Sequence, residues 1–209
     1  MKLLRIDSSA RSNSVSRQMT DKFVSEWLEK NSDGRVIERD LARTVLPAIT
    51  DDWSSGSFTD PQKRTAAQRQ ALAMSDIFIN EIEAADVIVI GAPMYNFSIS
   101  ALLKGWIDHI VRPGRTVGFG PNGPKGLLTN KKVFVLTARG GSYRPGSARE
   151  GHDHQEPYLR LILGHIGLSD VTFIHSDNQL REEAEASRNA ALEQIGRLVA
   201  SASAAAAQM

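Results

Sequence analysis

The sequence predicts an α/β protein built on a doubly wound parallel sheet of five strands, with helices on both faces. Short apolar segments alternate five times with longer segments of helical periodicity, and such alternation is typical of a parallel sheet with right-handed crossovers. Val87–Ile90 is a continuous β-branched and apolar run, as expected of a strand buried on both faces. No internal repeat or linker interrupts residues 1–209, which therefore predict a single domain.

Composition restricts the classes of function. The chain has 209 residues, 41% hydrophobic and 23% charged, enough for one substantial core. Lys plus Arg total 25 against 24 for Asp plus Glu, giving a formal charge of +1, so no global field favours nucleic acid or an anionic membrane surface. We expect neither as a partner. The chain has no cysteine, which excludes disulfides, thiolate nucleophiles and cysteine metal sites.

The two ends of the chain lead to expectations about location and order. Charged residues appear too early in Met1–Asp7 for a signal peptide. No apolar run approaches the roughly 18 residues of a membrane helix, so we expect a cytoplasmic protein. The alanine-rich end at about 202–209 is predicted to be a frayed tail.

The first predicted strand, Lys2–Asp7, is followed by a serine-rich turn. Residues 8–17 contain five serines and two arginines, and the following helix has apolar residues on one face. Hydroxyl, guanidinium and free backbone N–H groups at a helix start favour a phosphate site; the alternative is that the serines only cap the helix and fill a polar loop. The glycine fingerprints of dinucleotide and Walker sites are absent, which favours a monophosphate held by hydroxyls.

The next part of the chain is predicted from turn and cap signals. The turn 32–34 leads into a second strand, Arg35–Leu41, and a loop then continues through Asp60. Thr59-Asp60-Pro61 predicts a helix start, because Pro favours the first helical position. One helix or a pair of helices would then extend to Ala85.

The central strand, Val87–Ile90, is closed by 91–93 and followed by a helix. Ser98 or Ser100 is the candidate N-cap, and large apolar residues recur from Leu102 to Val111 at helical spacing. The intervening turn carries Met94-Tyr95-Asn96-Phe97. Ligands of open parallel sheets bind at the carboxyl ends of strands, so this turn is the first place to expect a site.

The last third of the chain contains two long loops, two strands and two helices. The loop 113–130 has five glycines and three prolines, and its length suggests a functional surface. We predict a strand at Lys132–Ala138, a mobile loop to Glu156, and a helix from Pro157 to about Ile166. A strand at Val171–His175 and a helix at about 182–201 complete the chain.

Three strand ends can converge on one crevice if the sheet has the flavodoxin-like order 2-1-3-4-5. In this order the first and third strands are neighbours, and FMN binds where their loops diverge. Met94 and Tyr95 would offer a broad surface to a flat ring, and Gly140 and Gly141 would offer backbone N–H donors. Taken one at a time, Met94 and Phe97 are also compatible with core packing, and the glycines with a plain turn.

The chain resembles an FMN-dependent NADH:quinone oxidoreductase of the bacterial azoreductase family. The resemblance depends on five segments that follow one another in order along nearly the whole chain. They are SSARSNSVSR, APMYNFSISALLKGWIDHI, the loop ending in GPKGLL, KKVFVLTARGG and YLRLILGHIG.

The resemblance implies which residues bind FMN. The phosphate would be held by Ser9, Ser14, Val15 and Ser16. The isoalloxazine would be lined by Met94, Tyr95, Asn96 and Phe97, with a backbone N–H near Asn96 facing flavin N5. The other ring edge would contact Ala138, Arg139, Gly140 and Gly141.

Family members are homodimers with FMN at the subunit interface, so the resemblance also implies a homodimer in which the loop around Phe119 helps to cover a flavin. Tyr95, Asn96, Phe119 and His165 are candidates for orienting the substrate. Ala138 stands where relatives often have serine, and His165 where they often have an aromatic residue. We expect the first difference to affect one flavin hydrogen bond and the second to affect substrate choice.

The implied reaction passes two electrons from NADH or NADPH through FMN to a quinone or azo compound by a ping-pong mechanism. No side chain is assigned as a catalytic acid. One alternative is a non-catalytic electron carrier or regulator, although flavodoxins of that kind are typically acidic and this chain is near neutral. A second alternative is a flavin or nitro-compound reductase with the same site.

Other candidate chemistry is weaker. His152-Asp153-His154 resembles a metal-binding fragment but has no third spaced ligand, so no metal is expected. His109 is predicted to be packed within the helix or at an interface. The nucleophile elbow G-x-S-x-G is absent, which argues against a serine hydrolase.

Overall fold

The computed structural model describes residues 1–121 and 123–206. Five strands form one parallel sheet: β1 Lys2–Asp7, β2 Arg35–Asp40, β3 Val87–Pro93, β6 Lys132–Ala138 and β7 Asp170–Ser176. Their order in the sheet is β2-β1-β3-β6-β7, which is the predicted order 2-1-3-4-5 when only these strands are counted.

The helices pack with the sheet around two separate apolar cores. Alternate residues of β3 belong to two separate apolar cores: Ile88 and Ile90 to one, Val87 and Val89 to the other. Residues of α3, α4 and α5 complete the first core, and residues of α1 and α6 complete the second. The helices are α1 Val15–Lys30, α2 Asp51–Phe58, α3 Ala66–Ala84, α4 Ala101–Ile110, α5 Glu156–His165 and α6 Ala184–Ala206.

The central strand β3 is longer than predicted. All seven of its residues are buried, which confirms the prediction from its β-branched run. The strand does not close at Gly91, because Gly91, Ala92 and Pro93 continue the ladder by pairing with Leu136, Thr137 and Ala138 of β6. This extension brings the turn after Pro93 level with the end of β6.

A helix lies where the sequence predicted a loop through Asp60. Thr50 caps α2 by accepting a hydrogen bond from the Trp53 N–H, 3.2 Å away, and Trp53 is buried. Asp51 and Asp52 occupy the first turn, where acidic groups are favourable. The serines and glycine that follow favour a loop over a helix, so the prediction of a loop was wrong for 51–58.

The helix start predicted at Thr59-Asp60-Pro61 is only partly right. Asp60 caps a short 3-10 helix, Pro61–Lys63, and α3 begins later, at Ala66. Thr65 and Gln68 form its capping box: the Thr65 hydroxyl accepts from the Gln68 N–H at 3.2 Å, and the Gln68 side chain accepts from the Thr65 N–H at 3.0 Å. The second capping signal, not the proline, sets the main helix start.

The loop 113–130 contains an antiparallel hairpin of β4 Val117–Gly120 and β5 Gly123–Gly126. Its glycines and prolines hid the strands from sequence analysis, because both residues are depleted in strands. The hairpin packs beside the carboxyl end of α5: the Leu128 N–H donates to the Ile166 carbonyl at 3.0 Å.

The structure defines the ends of helices that the sequence left approximate. Ser100 rather than Ser98 caps α4, accepting from the Leu103 N–H at 3.2 Å. Helix α6 begins two residues later and ends five residues later than predicted. The frayed tail at 202–209 stays a prediction, and 207–209 lie outside the described residues. Across the described ranges, every helix is too short or too polar to cross a membrane.

Candidate functional site

Three predicted segments meet at the carboxyl edge of the sheet. The Ser8 hydroxyl donates to the Gly91 carbonyl at 2.7 Å, which joins the end of β1 to β3. The Met94 N–H donates to the Ala138 carbonyl at 2.9 Å, which joins the turn after β3 to the end of β6. The Ser100 hydroxyl donates to the Ser8 carbonyl at 2.9 Å, so α4 also begins at this edge.

The serine-rich loop ends in a set of hydroxyl and N–H groups at the start of α1, where Ser14 and Ser16 are both buried. Ser14 is the N-cap and accepts from the Arg17 N–H at 3.3 Å. The Ser16 hydroxyl lies 3.3 Å from that of Ser14. Within the described residues, the Val15 and Ser16 N–H groups have no acceptor, as expected of a first helical turn. This arrangement suits an anion.

The two arginines of this loop differ in their availability. The Arg17 guanidinium makes two hydrogen bonds to the Asp40 carboxylate, at 3.0 and 2.6 Å. It also donates to the carbonyls of Ser9 and Arg11, at 2.9 and 3.0 Å. Arg11 is exposed, and its guanidinium makes no ion pair with any described residue. Arg17 therefore clamps the loop, and of these two arginines Arg11 alone has a guanidinium without a partner in the described part of the chain.

Residues 95–98 form a tight turn with reciprocal backbone hydrogen bonds between Tyr95 and Ser98, at 2.9 and 3.0 Å. The two central residues are left-handed, with φ of 49° at Asn96 and 68° at Phe97. That conformation is tolerated by Asn but is unusual for a residue as bulky as Phe. The Asn96 N–H makes no hydrogen bond to any residue in the described ranges, so it is available to a ligand.

The loop after β6, predicted to be mobile, packs against this turn. The Phe97 ring lies 6.4 Å from that of Tyr143 and 5.6 Å from that of His152. The His154 N–H donates to the Phe97 carbonyl at 3.0 Å, and the Ser98 hydroxyl donates to the His154 carbonyl at 3.2 Å. These contacts hold Phe97 in its strained conformation, so the two histidines have a structural role here.

The segment after β6 offers backbone donors at the same edge. In the part of the chain that the structure describes, the N–H groups of Gly140 and Gly141 have no acceptor, although Gly141 is buried. A Cβ at Gly141 would lie 3.0 Å from Arg149 Nη1, and one at Gly140 would lie 2.8 Å from Leu180 Cδ1. The two glycines leave little space for side chains and leave their N–H groups free.

The Arg139 side chain points into the protein and not toward the crevice. It is 2% exposed, and its Nε donates to Asp177 at 2.7 Å while Nη1 donates to Asp153 at 3.0 Å. Its guanidinium also lies 5.6 Å from the Tyr143 ring centroid. Only the backbone of Arg139 can therefore contribute to binding at the ring edge.

A cleft of about 830 Å³ opens beside the turn. Ser9 Oγ and the Tyr95 hydroxyl, 3.5 Å apart, lie beside it. Burial raises the pKa of Tyr158 in the cleft wall, and nearby Lys104 partly opposes this rise. The cleft is lined by Tyr95, Asn96, Ser98, Ile99, Ala101, Lys104, Asp153, His154, Pro157 and Tyr158.

Phe119 and His165 are not brought to this crevice by their own chain. Helix α4 begins at the carboxyl edge and runs ten residues, about 15 Å at the usual rise, before the hairpin that carries Phe119. His165 is the exposed last residue of α5, which also begins at the carboxyl edge. Both residues therefore lie toward the opposite edge of the sheet.

Several residues that shape the site were not predicted from the sequence. Asp40 and Asp153 hold Arg17 and Arg139, and buried Gln155 donates to the Ala92 carbonyl at 3.1 Å. These partners come from distant parts of the chain, and only the position of Asp40 at the end of a predicted strand could have suggested one of them. Among the described residues, no group of three or more His, Cys, Asp or Glu could hold a metal ion.

A five-stranded parallel sheet of this order, with a helix start and a crevice at the ends of its first and third strands, defines a flavodoxin-like protein. A family model described as a flavodoxin-like fold matches residues 1–199. The chain belongs to this family and, within it, to the FMN-dependent NADH:quinone oxidoreductases, which confirms the resemblance predicted from sequence.

Two relatives with that name illustrate the similarity. The protein from Herminiimonas arsenicoxydans is 48% identical over 177 residues, covering 84% of this chain and 86% of its own. The protein from Acidobacterium capsulatum is 44% identical over 195 residues, covering 92% of this chain and 94% of its own.

Among solved structures, azoreductase AzrA superposes with a TM-score of 0.88 at 28% identity, covering 95% of this chain and 99% of its own. An azoreductase from Bacillus anthracis gives 0.88 at 27% identity, covering 95% and 98%.

Proposed function

We propose that this protein is an FMN-dependent oxidoreductase that passes two electrons from NADH or NADPH to quinones and azo compounds. The names of its relatives support this function. The structural observation that carries the proposal is a set of backbone N–H groups at one edge of three neighbouring strand ends that have no acceptor within residues 1–121 and 123–206. They are the N–H groups of Val15, Ser16, Asn96, Gly140 and Gly141. One anionic group and one flat, polar ring edge would satisfy these donors.

The residues at this edge fit FMN. Ser9, Ser14, Val15 and Ser16 would hold the phosphate through hydroxyl and N–H groups. Met94–Phe97 would line one side of the ring, and the backbone of 138–141 would line the other edge. When bound, FMN supplies the ability to accept a hydride and to release two electrons. N–H groups directed at the ring stabilise negative charge on it.

We propose a ping-pong reaction in which NADH or NADPH and then the acceptor occupy the same cleft. The cleft lies beside Tyr95 and Asn96 and is mainly apolar, with Lys104, His154 and Tyr158 in its wall. Such a surface suits flat molecules of several kinds. Tyr95 and Asn96 would orient the substrate, and no side chain is required as a general acid.

A homodimer with FMN at the subunit interface is part of the proposal. Phe119 is 71% exposed and lies toward the edge of the sheet opposite the turn of its own chain. A role for Phe119 or His165 at a flavin therefore requires a second copy of the chain. The exposed apolar side chain of Phe119 is of the kind that subunit interfaces bury.

The architecture of the sheet and the location of the protein are also part of the proposal. The strand order and the helices on both faces support a doubly wound sheet. A cytoplasmic location stays a prediction from the sequence alone.

A non-catalytic electron carrier is disfavoured by the formal charge of +1, because carriers of this fold usually dock through strongly acidic surfaces. A flavin or nitro-compound reductase would use the same site.

An anaerobic absorbance titration tests the proposal. The flavin-free chain is reconstituted with FMN, and NADH and then a simple quinone are added. We expect NADH to bleach the bound flavin and the quinone to restore its absorbance. Failure to bind FMN would contradict the site itself. Binding without bleaching would favour the electron carrier, and NADPH in parallel would establish which nucleotide is preferred.

A further inference from the structure

We propose that Arg17 is a positioning residue that clamps the serine-rich loop 8–14 onto Asp40, and that this clamp gives the site its preference for FMN over riboflavin. The inference rests on the proposed function, because it assumes that this loop holds the FMN phosphate. It assigns to Arg17 a role different from direct phosphate binding, which a cation in this loop would otherwise suggest.

The geometry shows a guanidinium whose donors are almost fully used. Of its five N–H groups, four make hydrogen bonds: two to Asp40, at 3.0 and 2.6 Å, and one each to the carbonyls of Ser9 and Arg11, at 2.9 and 3.0 Å. The side chain is 14% exposed. Arg17 thus connects the first turn of α1, the loop before it and the end of β2.

Arg17 and Asp40 each favour the charged form of the other. The hydrogen bonding of the Arg17 guanidinium to the Asp40 carboxylate is the largest cause of the raised pKa of Arg17. Burial raises the pKa of Asp40, but the hydrogen bonds from Arg17 and from the Ala42 N–H, together with the charges of Arg17 and Arg43, outweigh it, so the pKa is lowered overall. Asp7, which is buried, lies 3.7 Å from Arg17 Nη1. Arg17 and Asp40 are therefore both ionised near neutral pH. Charge-assisted bidentate bonds of this kind are among the stronger hydrogen bonds.

The clamp also sets the direction of the loop peptides. The carbonyls of Ser9 and Arg11 point toward the guanidinium. In a planar trans peptide the next N–H points the opposite way, so the N–H groups of Ala10 and Ser12 are directed away from Arg17. Neither N–H has an acceptor among the residues that the structure describes. Arg17 therefore aligns peptide donors that an anion can use, without itself contacting the anion.

The clamp and a direct Arg17–phosphate contact predict opposite effects of Asp40→Asn. If Arg17 bound the phosphate, loss of the competing carboxylate would leave FMN affinity unchanged or strengthen it. If Arg17 acts as a clamp, Asp40→Asn releases the loop as Arg17→Gln does. Because both substitutions break the same Arg17–Asp40 interaction, the double variant should lose little more FMN affinity than either single variant.

The experiment measures the affinities of the flavin-free chain for FMN and for riboflavin, which lacks the phosphate, by flavin fluorescence. We expect Arg17→Gln and Asp40→Asn each to weaken FMN binding by about tenfold, as for loss of charge-assisted hydrogen bonds. Riboflavin affinity should stay within about twofold, since the ring site is untouched. Arg43→Gln is the matched control: Arg43 also pairs with Asp40, at 3.4 Å, but is 84% exposed and makes no hydrogen bond to the loop among the described residues.

Each result has a distinct meaning. If the unsubstituted chain binds no FMN, both the proposed function and the clamp fail. If the unsubstituted chain prefers FMN but Arg17→Gln keeps the same ratio of FMN to riboflavin affinity, only the clamp is overturned. This includes the case in which both affinities fall by the same factor. Tighter FMN binding by Asp40→Asn would overturn the clamp in favour of direct contact. If Arg17→Gln does not fold, the affinity ratio of Asp40→Asn decides alone.

Discussion

Asp7 and Gly91 face each other across β1 and β3 so closely that a Cβ at Gly91 would lie 2.9 Å from an Asp7 carboxylate oxygen. The same carboxylate oxygen accepts from the Thr20 hydroxyl at 2.8 Å. The Gly91 carbonyl accepts from both the N–H and the hydroxyl of Ser8, at 3.1 and 2.7 Å. The close approach of β1, β3 and α1 beneath the serine-rich loop therefore depends on the absence of a side chain at position 91.

Gly91→Ala is expected to destabilise the fold. Its methyl group would also lie 3.2 Å from the Ser16 carbonyl and 3.0 Å from Thr20 Cγ2, and crowding of this kind in a packed core costs about 1–3 kcal/mol. Urea unfolding measures the change. Gly196→Ala in α6 is the control: its nearest neighbour is 3.7 Å away, so it should raise the unfolding free energy by up to about 1 kcal/mol. Equal stability of the two variants would contradict the packing argument.

Gly141→Ala should separate folding from flavin binding. The new methyl group would meet Arg149 Nη1 at 3.0 Å, the end of an exposed, flexible side chain that can move. We expect an unfolding free energy within about 0.5 kcal/mol of the unsubstituted chain. FMN affinity should fall about tenfold, because the methyl group would obstruct approach to this buried N–H.

Gly151→Ala lies in the same loop and is the control for Gly141→Ala, since no atom lies within 4 Å of the position that its methyl group would occupy. It should change neither quantity. If both variants bind FMN as the unsubstituted chain does, the ring edge does not lie against Gly141.

The strands and their order could be predicted because β-branched runs and the alternation of strands and helices are local patterns. Val87–Ile90 indicated burial on both faces, and the structure confirms it. Helix α2 was missed because its serines and glycine suggest a loop, although Trp53 supplies the burial that stabilises it. The hairpin 117–126 was missed for a similar reason, since its strands contain more glycine and proline than strands usually do.

The site could be predicted only as far as topology determines it. Strand order brings the segments after β1, β3 and β6 together, so their residues were named correctly as neighbours. Topology does not determine which donors are already used: the pairing of Arg17 with Asp40 and of Arg139 with Asp177 depends on side-chain geometry. The left-handed φ of Phe97 also depends on distant rings, and bulky residues give no local signal for it.

Asn96→Gly and Asn96→Ala distinguish backbone from side chain at the turn. The φ of Asn96 is 49°, which glycine adopts freely and which costs alanine about 1–2 kcal/mol. We expect the alanine variant to be less stable than the glycine variant by about 1 kcal/mol in urea unfolding. If the Asn96 N–H binds the flavin, the glycine variant should keep FMN affinity within about threefold. A large loss in the glycine variant would instead assign the contact to the amide side chain.

The stability of the protein should fall on acidification, in part through His175. Burial lowers the pKa of His175 and the Arg139 charge adds to the effect, against the opposing carboxylates of Glu156, Asp177 and Asp153. Because the unfolded chain then binds a proton at higher pH than the folded chain, the unfolding free energy is lost as pH falls from about 6.5 through the folded pKa.

His175→Gln keeps a polar group near Thr137 and Glu156 but cannot titrate. Urea unfolding between pH 5 and pH 8 should therefore show a shallower fall for this variant than for the unsubstituted chain. Parallel curves would show that His175 contributes nothing to the pH dependence. A variant that is less stable by the same amount at every pH would have lost only its hydrogen bonds.

Subunit complementation tests whether each flavin site is built from two chains. Phe119→Ala and Gly141→Ala are each expected to lower quinone reduction, the first because Phe119 would cover the partner's flavin. In a mixed dimer one site then carries both substitutions and the other carries neither. Random exchange of equal amounts makes half of the dimers mixed. At an FMN concentration that leaves each variant alone nearly inactive, the mixture should therefore recover about a quarter of the unsubstituted activity. Dilution below the dimer dissociation constant should abolish this recovery. If the mixture shows only the mean of the two variants, Phe119 acts within its own chain or not at all, and a site shared through Phe119 is excluded.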